Sequence, residues 1–173
     1  MILKIYDQRL ANLDALNSFA TPKTTSTKGN IICRKAYDYY YFCPTMDSET
    51  AYKMFKEGIN DMGPNTEAFV LYAFMDCSYR RYMANKTNID IRQEFIQDYM
   101  LTNDICDRLL EQAKEYPSET IPADPESEDS TKWVEQIKLH PEAEKIITAY
   151  QPTQTQANDL FVSSGAADCE ALE

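Results

Sequence analysis

TEAFVLYAFMDCSYRRYMAN, residues 66–85, holds eight consecutive apolar or aromatic side chains, Ala68 to Met75, before Asp76 interrupts the run. Its reading decides the fold. Gly63-Pro64 ahead of it is a stop signal, Thr66 stands where an N-cap belongs, and Glu67 puts a carboxylate in the first turn. Twenty residues without glycine or proline suit a helix about 30 Å long better than a strand. Apolar residues at 69, 70, 72, 73, 74 and 77 leave almost no polar face, which marks a helix covered on most sides. A membrane span needs about 20 apolar residues, and Asp76, Arg80 and Arg81 deny that length. In the second half Tyr79, Tyr82 and Met83 stay inward while the arginines reach water.

Immediately upstream, Asp47–Gly63 carries one narrow apolar stripe at Ala51, Met54, Phe55, Gly58, Ile59 and Met62, with Asp47 or Ser48 as cap. The short connection at Gly63-Pro64 makes the two segments a helical hairpin. Gly58 within the stripe predicts a close approach to the central helix. Downstream, Ile89–Leu101 predicts a third helix with Ile91, Phe95, Ile96 and Tyr99 inward. Thr102 can cap a fourth, from Asn103 to Tyr116, before Pro117 stops it. Links this short pack helices as a bundle.

The N-terminal end is less regular. Met1–Tyr6 reads as a short extended segment, Leu10 to Phe19 as a short amphipathic helix, and residues 21–30 as a polar loop. In Ile31–Phe42, IICRKAYDYYYF, the β-branched and aromatic content favours extended chain. Arg34 and Lys35 beside four tyrosines could build a base-stacking platform, but tyrosine-rich surfaces more often serve protein contacts.

Charge divides the chain. Up to residue 86 there are 11 basic and 9 acidic residues; beyond it, 6 and 19, within a net charge of −11. Such a chain is repelled by nucleic acid, and no sequence-specific nucleic-acid binding is expected. Residues 117–131, PSETIPADPESEDST, hold three prolines and five acids and read as a linker. Beyond them lie one or two short helices around Trp133, Ile137, Ile146 and Tyr150, then a polar stretch relieved by Leu160-Phe161-Val162. The domain division is therefore a helical bundle over 1–116, the linker, and a C-terminal arm over 132–173 that needs another surface to order it.

Motifs for chemistry are lacking. Five cysteines, odd in number and without CxxC spacing, in a chain whose MILKIYDQRL start carries no secretory leader, predict reduced structural thiols in a cytoplasm. One histidine, His140, rules out a His-rich metal site and gives a nucleophile only one base to find. Asp90, Glu94 and Asp98, then Asp104, Asp107 and Glu111, line helices without the Glu-x-x-His pairs of a di-metal bundle. Neither a phosphate loop nor a dinucleotide fingerprint is present. The expectation is a non-enzymatic protein with no cofactor and no metal.

The expected fold class is mainly α: a bundle of about four to five helices, a short N-terminal extended segment, and a long, mostly irregular acidic C-terminal arm. In that order of elements the chain resembles the head-to-tail connector (adaptor) proteins of tailed phages, small helical bundles whose C-terminal arms order within the virion. The resemblance implies a structural subunit, made in the cytoplasm and destined for the virion. Its partners would be other protein subunits, in a homo-oligomeric ring with heterologous neighbours and no membrane. Under it Tyr37, Tyr39, Tyr40, Tyr41, Trp133, Leu160, Phe161 and Val162 become the candidate subunit contacts. Two other classes stay open. One is an acidic inhibitor whose Glu126, Glu128 and Asp129 mimic nucleic acid toward a host defence protein. The other is a cellular scaffolding adaptor with a tail that folds on binding.

Overall fold

The central segment folds as a helix buried on nearly every side. A computed structural model describes residues 2–21 and 26–167. Its helices are, in chain order, α1 (Ile2–Ala11), α2 (Leu13–Ser18), α3 (Lys28–Phe42), α4 (Ser48–Met62), α5 (Ala68–Met83), α6 (Ile89–Lys114) and α7 (Pro141–Ser164). Between α6 and α7 two three-residue strands, β1 (Glu119–Ile121) and β2 (Gln136–Lys138), pair antiparallel with Thr120 opposite Ile137. The protein is thus mainly helical, and none of the described helices is long and apolar enough to cross a membrane.

On α5, Val70, Leu71, Phe74 and Met75 are fully buried, each contributing about 2 kcal/mol of gross hydrophobic stabilisation. Helices α3, α4, α6 and α7 all pack against it. Thr66, expected as its N-cap, instead donates its hydroxyl to the Gly63 carbonyl at 2.7 Å and is buried ahead of the first turn. The hairpin with α4 forms as expected. The Asp47 carboxylate accepts from the Thr50 N–H at 2.8 Å, and Gly63 ends α4 at φ 53°. Tyr52 stacks on Phe74 with centroids 6.0 Å apart.

Several expectations are corrected. Ile31–Phe42 is helical, not extended: with Gly29 it buries Ile31, Ile32, Cys33, Ala36 and Tyr40, a helical set in which the small residues blur the period. Thr27 caps α3 by accepting from the Asn30 N–H. The close approach at Gly58 is to α3, not to the central helix. A Cβ there would lie 2.5 Å from Cys33 Sγ, and one on Gly29 would lie 2.7 Å from the Gly58 carbonyl oxygen. The N-terminal segment is the helix α1, held to α3 by Tyr6 Oη donating to Asp38 at 2.6 Å and by the Lys35–Asp7 ion pair. The third and fourth helices are one, because Thr102 does not cap a helix but sits buried in the middle of α6.

The largest difference lies in the C-terminal third. Rather than a mostly irregular arm with one or two short helices, residues 141–164 form a single 24-residue helix packed along α5 and α6. His140 caps it, its Nδ1 accepting from the Glu142 N–H, and Pro141 occupies the first turn, where its missing N–H costs nothing. Gly165 closes it in the left-handed conformation at φ 70°. Arg92 on α6, itself buried, donates from Nε and Nη2 to the Ala166 carbonyl at 2.8 and 2.7 Å, which pins the end of α7. The expected linker is exposed throughout most of its length but contains β1.

Among the described residues Asp98 is the most deeply buried charge. Asp98 accepts from Lys56 Nζ and Ser78 Oγ, each at 2.6 Å, and so ties α6 to α4 and α5. Lys56→Met should destabilise the fold by about 2 kcal/mol. That is below the usual cost of orphaning a buried charge, because Lys56 is partly open to water. Asp98→Asn added to it should recover part of the loss in denaturant unfolding. Gly29→Ala should also lower the melting temperature: the contact with the Gly58 carbonyl outweighs a gain of about 1 kcal/mol in helix propensity. A rise in melting temperature would show that α3 and α4 can separate.

Candidate protein-binding groove

Helices α3, α5 and α7 meet along one face of the bundle without closing over it. Side chains on α3 point there at positions 37 and 41, on α5 at 69 and 72, and on α7 at 149, 150, 152 and 153. They enclose an open groove of about 610 Å³, within the range of ligand sites. It continues along α7 past Tyr72 and Pro152 toward Ile147, Gln156 and Leu160.

The rings lining it are held by one another. The Tyr37 ring centroid lies 4.8 Å from that of Tyr41 and 5.2 Å from that of Phe69, the latter pair edge to face. Tyr150 donates its hydroxyl to the Thr66 carbonyl at 2.9 Å, and Thr153 Oγ1 donates to the Ala149 carbonyl at 3.1 Å. At the rim, Glu67 accepts from Arg34 Nη2 and Asn30 Nδ2, both at 2.8 Å, and the Arg34 guanidinium lies 5.3 Å from the Phe69 centroid. Tyr41 and Tyr72 each remain 43% exposed although they sit in this cluster.

The candidate contact residues separate in space. Tyr37, Tyr41 and Leu160 line the groove. Tyr40 turns into the core and donates to Asp76 at 2.8 Å. Tyr39 is engaged in the loop before α4, where its hydroxyl accepts from the Asp47 N–H at 3.0 Å. Phe161 stacks on Tyr99 with centroids 3.9 Å apart, between α6 and α7. Val162 is 80% exposed, away from the groove lining. The side chain of Trp133 lies outside the described residues. Phe69, Tyr72, Tyr150 and Pro152 do not read as groove residues in the sequence, where Phe69 and Tyr72 belong to an apolar run that predicts a helix covered on most sides. The available signal was the i, i+3, i+7 spacing of Phe69, Tyr72 and the polar Asp76.

The acidic residues of α6 are largely occupied. Glu94 pairs with Arg81, Asp104 with Arg108 and Glu111 with Lys114, while Asp107 accepts from Gln154 Nε2 at 2.6 Å. Among the described residues no group of three or more histidine, cysteine or acidic side chains could hold a metal ion. Burial pushes the thiols of Cys33, Cys77 and Cys106 up to about 12, so at neutral pH they are protonated and weakly nucleophilic. His140 faces Tyr116, ring on ring at 5.0 Å, remote in sequence and setting from these thiols. Neither a protein-family model, nor a curated protein, nor a solved structure matches the chain.

Burial, reinforced by nearby Asp76, raises Tyr41 to about 12; burial and the Asp38 hydrogen bond raise Tyr6 equally. Burial likewise raises Tyr40, Tyr52 and Tyr150. Folding therefore favours their neutral forms. The stability this supplies is complete below the unfolded tyrosine value of about 10 and declines as pH rises from there toward 12. An alkaline titration should show exposed tyrosines ionising first, and the others ionising together with loss of helical circular dichroism. Reversible ionisation of all 12 tyrosines near their ordinary value, with the helices intact, would contradict this packing.

Proposed function

We propose that the chain is a non-enzymatic protein-interaction module whose working face is the groove between α3, α5 and α7. The observation carrying this reading is a cluster of tyrosine and phenylalanine rings that remains open to solvent while its members are fixed by mutual contact. Rigid amphipathic rings bring contact area at low entropic cost and dominate the centres of protein interfaces. A monomer that needed only stability would gain by covering them.

A structural subunit of an assembly remains a form of this reading. The resemblance to connector proteins then resides in the bundle, because α7 spends its inner face on α5 and α6 and leaves no arm of that length for a neighbour. Like subunits would then meet through exposed residues outside the groove, such as Val162 and Met100, and leave the groove for an unlike neighbour.

The test is site-specific photocrosslinking in the cells or particles that contain the chain. A benzophenone side chain at position 72 or 41 should yield a discrete heavier species that the same group at exposed position 111, on α6 and outside the groove lining, does not. Equal crosslinking from all three positions, or from none, would refute the assignment.

A further inference from the structure

The polar chemistry of the groove is one-sided. Along its whole length the lining contains two carboxylates, Glu67 and Asp159, and neither lysine nor arginine. Asp159 has no ion-pair or hydrogen-bond partner among the described residues. Gln156 donates weakly to the Tyr72 carbonyl at 3.4 Å, while its own Oε1 is buried and unpartnered. Pro152 cannot supply the N–H that would meet the Thr148 carbonyl one turn earlier, and both residues border the groove. With Glu67 engaged by Arg34, the wall offers one unpaired carboxylate, Asp159, and free acceptors beside aromatic faces. At its rim the arrangement already holds a cation: Arg34 lies against Phe69 and is paired with Glu67. Aromatic faces with a carboxylate alongside attract cations carried on apolar stems.

Building on the protein-interaction reading, we infer that the groove binds a basic, apolar segment of another protein, in which arginine or lysine alternates with aliphatic side chains. From Ile147 to Leu160 the helix advances about 20 Å, which suits about six residues of extended chain. Arginine stems lie on Tyr72 and Tyr41 while their guanidinium groups reach Asp159 and the acceptors beside Pro152. A second copy of this chain is a poor occupant, since its net charge of −11 meets like charge.

Two acetylated hexapeptides test this against the full chain by calorimetry: leucine and arginine alternating, and the same peptide with neutral citrulline for arginine. The arginine peptide should bind about tenfold more tightly. Asp159→Asn should erase most of that preference, and added salt should narrow it. Tyr72→Ala, checked for an unchanged helical spectrum, should weaken both peptides. Equal binding of the two peptides, both sensitive to Tyr72→Ala, would overturn the cation inference and leave the groove as a protein-binding face. Binding indifferent to Tyr72→Ala, or no binding of either peptide, would remove the site itself. A doubling of mass with concentration in light scattering, abolished by Tyr72→Ala, would assign the groove to a second copy and overturn the proposal.

Discussion

A helix with almost no polar face must be enclosed, and α5 imposes that requirement on everything around it. Helices α3 and α4 cover one side through the core around Phe74, α6 covers another, and α7 closes much of what remains. The need is polar as well as apolar. The Thr66 carbonyl precedes the helix in a fully buried residue, and a buried carbonyl without a partner costs as much as a lost hydrogen bond. Tyr150 on α7 supplies the donor. Farther along, Ala157 joins Met75, Tyr82 and Phe95 in a second cluster closed by Phe161 and Leu160. Residues 141–164 pack as they do because the centre of the molecule provides the surface.

How α7 accomplishes this explains why its composition misleads. Its fully buried residues are Ala143, Thr153, Ala157 and Ser164, small side chains that let it lie close to α5 and α6. None would register as an apolar stripe. The same holds in part for α3, whose closest approach to α4 is made by Gly29 and Cys33 against Gly58, although it also buries Ile31, Ile32 and Tyr40. Period-reading detects helices that bury large side chains, as in α4 and α5, and overlooks those that bury backbone. In α6 the opposite error arises: Thr102 has the chemistry of a cap, but nothing local reveals that its position faces the core.

The tyrosine segment shows its composition in the sequence but not its geometry. Consecutive residues on a helix are about 100° apart, so Tyr39, Tyr40 and Tyr41 cannot share a face. One tyrosine anchors a loop, one fills the core, and one reaches the groove. The partners that complete the groove come from α5 and α7, more than 25 positions downstream, and a single stretch of sequence contains no record of that meeting.

Pro152 shows how enclosure and opening coexist in one helix. An interior proline removes a backbone hydrogen bond and crowds the carbonyl one turn before it, at a cost of about 3 kcal/mol. On the inner face of α7 that carbonyl would be buried unsatisfied. Here the proline lies on the groove side, next to exposed Gln151, whereas Thr153 faces inward and Thr155 Oγ1 donates back to the Gln151 carbonyl at 3.0 Å. The freed carbonyl therefore opens onto water or onto whatever occupies the groove. Tyr150, Thr153 and Ala157 cover α5 from the inner face, so the proline lies on the open face and not the closed one.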